Sequence, residues 1–199
     1  GKKVAFNEGS VSHFYLTVLM DEAGISQKDI EAVNMTAGDS GSAFVSKNVD
    51  AAVTWEPWLS RGKATDHGHL LADSSTRPGL ITDILVATKE AIAKDGKKIG
   101  GVVRAWAKAV DFWKANPEEA NVIMAKGVGG WLKDPKVFAD VLTGIKYYDT
   151  QMIRDFFGTP AKPGQLYKTT KQSLDIWGRH GKVQVETTPD KIINHSFLP

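Results

Sequence analysis

The chain has 199 residues and no cysteine, which rules out disulfides, thiolate metal sites and a cysteine nucleophile. A cysteine-free chain fits a protein exported to an oxidising space, and it fits many cytosolic proteins as well. No apolar run approaches the roughly 18 residues of a membrane-crossing helix, and no stretch reads as a signal peptide. Neither sign of charge dominates: 25 Lys and Arg against 23 Asp and Glu leave a formal +2. No Lys/Arg cluster forms a basic stripe, so no nucleic-acid partner is expected. The G-x-S-x-G elbow of a hydrolase triad is missing. Gly127-Val128-Gly129-Gly130 lacks the preceding strand and the lysine of a phosphate loop, and reads as a helix-ending link. His67-Gly68-His69 could put two imidazoles on one strand face, but it is not read as a metal site. No catalytic residue, metal or cofactor is expected.

What is present is ordinary in bulk and unusual in places. A hydrophobic share of 42% with 24% charged residues is that of a water-soluble globular chain, long enough for one large domain or two small ones. The most informative stretch is residues 51–58, where the short apolar run Ala51-Ala52-Val53-Thr54 ends in Trp55-Glu56-Pro57-Trp58. Two indoles and a carboxylate at a strand exit suit a small-molecule pocket, because ligands bind at the carboxyl ends of strands in open α/β sheets. A second exit, Val4-Ala5-Phe6, runs into Asn7-Glu8-Gly9-Ser10-Val11-Ser12-His13. That turn opens a helix, whose unpaired N–H groups attract anions.

Residues 1–72 alternate strand and helix patterns. Strands are expected at 3–6, 30–35, 49–54 and 70–72. Helices are expected after residue 10, stopping at Gly24, and over 39–47. This βαβαβ order implies a parallel sheet covered by helices. A turn-rich connector, 73–79, leads into one more expected strand, 80–86. From Lys89 the pattern is helical. Val102, Trp106, Val110 and Trp113 form a core-facing stripe, Asn116-Pro117-Glu118-Glu119 and Asp134-Pro135 read as capped helix starts, and Asp149-Thr150 and Thr188-Pro189 open shorter helices. Leu166, Thr170, Leu174 and Trp177 line a longer helix, ended by Gly178 or Gly181. Five helices with a single strand before them need a partner sheet. Gly1 followed directly by Lys2-Lys3 and a strand reads as the start of a processed or excised piece lacking an N-terminal part.

These segments resemble the periplasmic substrate-binding proteins of ABC importers, in the group that takes nitrate, taurine and alkanesulfonates and is related to thiamine-pyrimidine-precursor binders. The resemblance runs through Gly1-Lys2-Lys3-Val4-Ala5, Gly9-Ser10-x-x-His13, Ala43-Phe44 with Val49-Asp50-Ala51, Trp55-Glu56-Pro57 and Pro78-Gly79-Leu80-Ile81. It continues in Ala105-Trp106-x-Lys108-Ala109 and Asn116-Pro117-Glu118-Glu119-Ala120. It implies an α/β, type II periplasmic-binding-protein-like architecture of two lobes, one of them incomplete here. On this pattern residues 1–80 form the second, ligand-contacting lobe. Residues 81–199 form a crossover strand and the C-terminal helical part of the first, with a hinge near 73–82.

The implied function is non-catalytic. The chain captures a small polar solute (a sulfonate, taurine, nitrate or a relative) in an interlobe cleft and delivers it to an ABC permease in the inner membrane. The implied location is periplasmic, or extracellular and lipid-anchored in a Gram-positive cell. The alternative is a thiamine-pyrimidine-precursor binder or a synthase-like enzyme of the same fold; the enzyme uses a cysteine-rich motif, which this chain lacks. Candidate ligand-binding residues are Gly9, Ser10, Val11, Ser12, His13, Asp39, Trp55, Glu56 and Asp83. A pocket carboxylate at Glu56 suits a zwitterion such as taurine better than a bare anion. Unpartnered sheet and helix faces also make a homodimer or swapped assembly an expectation.

Overall fold

The protein is described by a computed structural model covering residues 1–183 and 186–199, with the side chain of Trp131 left out of the description. The chain folds into two compact units. One is Gly1–Ile81 with Gln172–Val185, and the other is Thr82–Lys171 with Glu186–Pro199.

The first unit is built on a three-stranded parallel sheet of β1 (Lys2–Phe6), β2 (Ile30–Asn34) and β3 (Ala51–Ala52), in the order β2-β1-β3. Val4, Ala5 and Phe6 are all buried, as expected of a central parallel strand covered on both faces. The register runs from Lys2 opposite Ile30 to Phe6 opposite Asn34, and pairs Val4 with Ala51. β3 is shorter than the run 49–54 suggested, yet Asp50 and Val53 still donate N–H bonds to the Lys3 and Ala5 carbonyls. Helix α1 (Val11–Ala23) follows β1 and ends at Gly24, whose φ of 66° makes a left-handed cap. Its Phe14, Tyr15 and Val18 form a core with Leu80 and Ile176, joined by Val53 and Trp177. Helix α2 (Ala37–Val45) packs on β1, β3 and α3 (Trp58–Lys63). Right-handed crossovers send the β1–β2 and β2–β3 connections to opposite faces, so the strand order reverses between β1 and β3.

Two expected strands are absent. Residues 70–72 and 80–86 have no strand structure: Leu71 is 88% exposed, and Ile84, Leu85 and Val86 are exposed as well. An apolar run becomes a strand only where a neighbour takes up its N–H and C=O groups, and among the described residues neither run has a ladder partner. The run 80–86, expected to include the crossover strand, is therefore without strand structure, and its Leu80 and Ile81 join the first unit's core.

The second unit is helical: α4 (Lys89–Ala115), α5 (Pro117–Val128), α6 (Pro135–Leu142), α7 (Thr150–Phe157), the first half of α8 (Gln165–Arg179) and α9 (Pro189–Ile192). α4 is interrupted at Asp95, where φ is −125° and ψ 24°. Asp134 and Asp149 cap α6 and α7 by accepting the Lys136 and Met152 N–H groups. Asn116 stands at the N-cap of α5 as expected, with Pro117 first in the helix, but its side-chain amide donates to the Phe112 carbonyl at 3.2 Å instead of capping α5. The core gathers Ala125, Phe138 and Leu142 with Trp113, Met124, Leu132 and Tyr147. Trp106, expected in that core, is 54% exposed. α8 spans the boundary between units because Ile176, 2% exposed, belongs with α1, so residues 81–199 do not form one body.

Candidate functional site

Parallel pairing places the exits of all three strands at one edge of the first unit's sheet. Hydrogen bonds between the loops tie the exits together. Glu8 N–H donates to Asn34 Oδ1 at 3.0 Å, joining the β1 and β2 loops, and Thr54 Oγ1 donates to the Ala37 carbonyl at 2.7 Å, joining β3 to the start of α2. The edge is held by the loops themselves.

The β1 exit is the most constrained. Gly9 sits at φ 78°, a left-handed conformation that glycine takes without cost. Ser10 is the N-cap of α1. Its Oγ accepts the Ser12 N–H at 3.2 Å and donates to the Asn7 carbonyl at 2.7 Å, which leaves Ser12 as the donor in the 2.8 Å contact between the two hydroxyls. Asn7 N–H completes the ring by donating to Ser12 Oγ at 3.2 Å. Both hydroxyls, expected to be free for a ligand, are thus engaged within the turn. Among the described residues no acceptor meets the Val11 and His13 N–H groups, the donors a helix start normally leaves open.

His13 points inward. It is 2% exposed, and its Nδ1 accepts the Gly9 N–H at 3.1 Å. Nδ1 therefore carries no proton and Nε2 does. Among the described residues Nε2 has no partner. The ring is packed by Phe6 at 4.9 Å and by Trp177 and His180, each at 5.3 Å between centroids. Burial pushes the imidazole below its ordinary value of 6.5; His180 and Lys182 add to that, and Glu8 opposes it. Glu8 itself is held below the usual carboxylate range by its hydrogen bond to Lys182, at 3.0 Å.

At the β3 exit the two indoles part company. Trp55 is 48% exposed, whereas Trp58 lies against α2: a Cβ added at Gly41 would stand 2.5 Å from Trp58 Cβ. Arg61 stacks over the Trp58 ring at 4.6 Å. The Glu56 carboxylate accepts from Ser60 N–H at 3.1 Å and Ser60 Oγ at 3.0 Å, bracing the start of α3. At the β2 exit Thr36, not Asp39, is the N-cap of α2. Its hydroxyl donates to Asp39 at 2.7 Å while the Asp39 N–H donates back at 3.2 Å. Asp83 belongs to the second unit and is exposed.

The fold thus gathers Gly9, Ser10, Val11, Ser12, His13, Asp39, Trp55 and Glu56 at one sheet edge of the first unit, whereas Asp83 belongs to the second. Sequence reasoning missed His180 and Lys182, which reach the turn from more than 160 residues away with no local signal. It also missed Asn34 and Thr54, polar residues at strand exits that could have been flagged as loop ties. A cavity of about 440 Å³ runs along the flank of α1, from Phe6 and His13 at the β1 exit past Thr17 and Met20 to Ile25, with His180 also in its wall. Among the described residues no group of three or more acidic, histidine or cysteine side chains could hold a metal ion, and no helix is long and apolar enough to cross a membrane.

Comparison with known proteins returns a model of the NMT1/THI5-like family over residues 1–120. A protein of Escherichia coli (strain K12) named for binding aliphatic sulfonates is 30% identical over 129 residues, 65% of this chain and 40% of that protein. A protein of Brucella abortus (strain 2308), named only as a binding protein, is 30% identical over 129 residues, 63% of this chain and 40% of its own length. The chain thus matches less than half the length of these curated relatives. Among solved structures it resembles the periplasmic aliphatic sulphonate binding protein SsuA from Escherichia coli. The TM-score is 0.69 at 24% identity, over 98% of this chain and 59% of that one. It also resembles the alkanesulfonate-binding protein SsuA from Xanthomonas axonopodis pv. citri bound to MOPS, with a TM-score of 0.61 at 20% identity over 92% and 59%. At these identities the likeness establishes the fold: an α/β periplasmic-binding-protein architecture, represented here in part.

Proposed function

We propose that this chain, which belongs to the NMT1/THI5-like family, is part of the solute-binding component of an ABC import system and takes a small sulfonate. The observation that carries this reading is the pairing of the open N-terminus of α1 with the exposed Trp55, on the two strand exits that flank the reversal of strand order. A sulfonate oxygen would meet the Val11 and His13 N–H groups, favoured by about half a positive charge at the helix start. Ser10, half-buried at the rim, can turn its hydroxyl from the Asn7 carbonyl to the anion. Gly9 and Ser12 shape this cradle. Trp55 would cover the organic part of the guest, and a cationic amine would also gain from the indole face.

Glu56 and Asp39 stand at the same edge, each already holding a helix start. Their charges favour a zwitterion such as taurine over nitrate. Asp83 lies in the second unit, and no contact of it enters this reading. The names of the relatives point the same way, and an ABC permease partner and a periplasmic location belong to the proposal. The thiamine-pyrimidine enzyme alternative draws no support from a chain without cysteine.

The test is a thermal-shift panel of taurine, ethanesulfonate, nitrate and a pyrimidine. A ligand at about a hundred times its Kd stabilises by about 2.7 kcal/mol, or roughly 5–10 °C for a chain of this size. A rise with the sulfonates and none with the pyrimidine is expected. Flat melting across the panel would refute the reading.

A further inference from the structure

We propose that His13 is a positioning residue: its neutral ring latches the turn that opens α1 by accepting the Gly9 N–H through Nδ1, and protonation of the ring releases that turn. Such a latch regulates the site above, and only its ligand arm rests on that reading.

The geometry leaves the ring little choice. It is 2% exposed and walled by Phe6, Trp177 and His180, so it cannot swing out to present another edge. The bond from Gly9 N–H occupies Nδ1 at 3.1 Å. A protonated imidazole is a donor at both nitrogens and an acceptor at neither. Protonation therefore sets an N–H against the Gly9 N–H across that distance, and the turn has to give. Gly9 is the residue able to do so, since without a side chain it leaves its left-handed conformation freely. Movement there displaces Ser10, which donates its own N–H to the Asn7 carbonyl and caps the helix.

The charged and titratable groups around the ring are Glu8 on its own loop, and His180 and Lys182 from the end of α8 and just beyond. Asp21, on the cavity that His13 also lines, is paired with Arg179 at 2.6 Å. Lys182 neutralises Glu8, so the carboxylate gives a nascent imidazolium little support, while His180 and burial oppose it. The latch is accordingly closed at neutral pH and opens only as pH falls below the ordinary histidine value. A histidine serving as a cationic ligand contact would behave in the opposite sense and bind anions more tightly as pH falls.

The test uses the 199-residue chain. In the wild type, the Gly9 amide ¹⁵N shift is followed by NMR against the His13 ring from neutral to acid pH, and ethanesulfonate affinity is measured calorimetrically over the same range. The latch requires the Gly9 amide to titrate in step with the His13 ring, with its hydrogen-exchange protection falling about tenfold, the scale of one hydrogen bond. Ethanesulfonate affinity should drop by a similar factor. His13→Asn, whose Oδ1 can take the place of Nδ1, should keep Gly9 protected and make affinity independent of pH. His13→Phe, which keeps the ring packing but has no acceptor, should lose protection at every pH. A Gly9 amide indifferent to the His13 titration overturns the proposal, as does affinity that holds or rises in acid. If ethanesulfonate does not bind at any pH, the ligand assignment fails, and the Gly9 measurements still decide the latch.

Discussion

Trp55 and Trp58, three residues apart on one loop, are expected to give opposite phenotypes. Trp58 fills the gap above two glycines of α2: a Cβ at Gly41 would collide with its Cβ, and one at Gly38 would come 3.1 Å from its Nε1. Truncating a fully buried indole costs about 3–5 kcal/mol. Trp58 is half-buried, so Trp58→Ala should cost about 2–3 kcal/mol, or roughly 4–12 °C in melting temperature at this chain length. Trp55 is 48% exposed, and among the described residues no ring contact involves it. Trp55→Ala should leave stability within about 0.5 kcal/mol while weakening taurine binding about tenfold, the scale of a desolvated indole–cation contact. Thermal melts with and without taurine separate the two effects. If Trp55→Ala melted early while Trp58→Ala melted like the wild type, the anchor and the ligand wall would have been assigned the wrong way round, and the proposed pocket would lose its side.

Other outcomes follow from the same geometry. Ser10→Ala removes the α1 cap and should cost about 1 kcal/mol, with sulfonate affinity falling more steeply than stability; calorimetry beside a urea melt compares the two. Because the fold holds His13 below 6.5, the unfolded chain binds the extra proton first as pH drops. The His13 contribution to stability is therefore complete above that value and is lost as pH falls toward the folded-state midpoint, which urea melts across mild acid will show. His180→Asn should raise the His13 midpoint and Glu8→Gln should lower it, read directly by NMR titration. The exposed run Ile84-Leu85-Val86 should drive self-association, so light scattering should find a species larger than the monomer, reduced when the three are replaced by serine.

How much of this could be read along the chain depends on the range of the interactions involved. The first strand and the helix from Ser10 to Gly24 were legible because a cap and a left-handed glycine act within a few residues. The capping aspartates at 134 and 149 were legible for the same reason. Thr36 taking the cap from Asp39, and the Asn116 side chain turning back to α4 while its residue still opens α5, show the limit of that reading. Several residues near a helix end can supply the oxygen, and backbone geometry selects among them. Residues 70–72 and 80–86 have strand composition without strand structure, since a ladder needs a partner that composition cannot supply.

The sequence by itself determined that the chain is a cysteine-free α/β protein, that polar turns and indoles follow its strands, and which family it resembles. These rest on residue chemistry and local backbone preference. Only the tertiary structure decided which tryptophan packs against α2, that the serine hydroxyls are already engaged, and that the histidine read as a ligand contact faces inward to hold a glycine. Each of those outcomes depends on what arrives from elsewhere in the chain: α2 beneath Trp58, and Trp177, His180 and Lys182 around His13. A side chain's role is set by the groups that compete for its hydrogen bonds and its surface, and only the folded chain brings those competitors together.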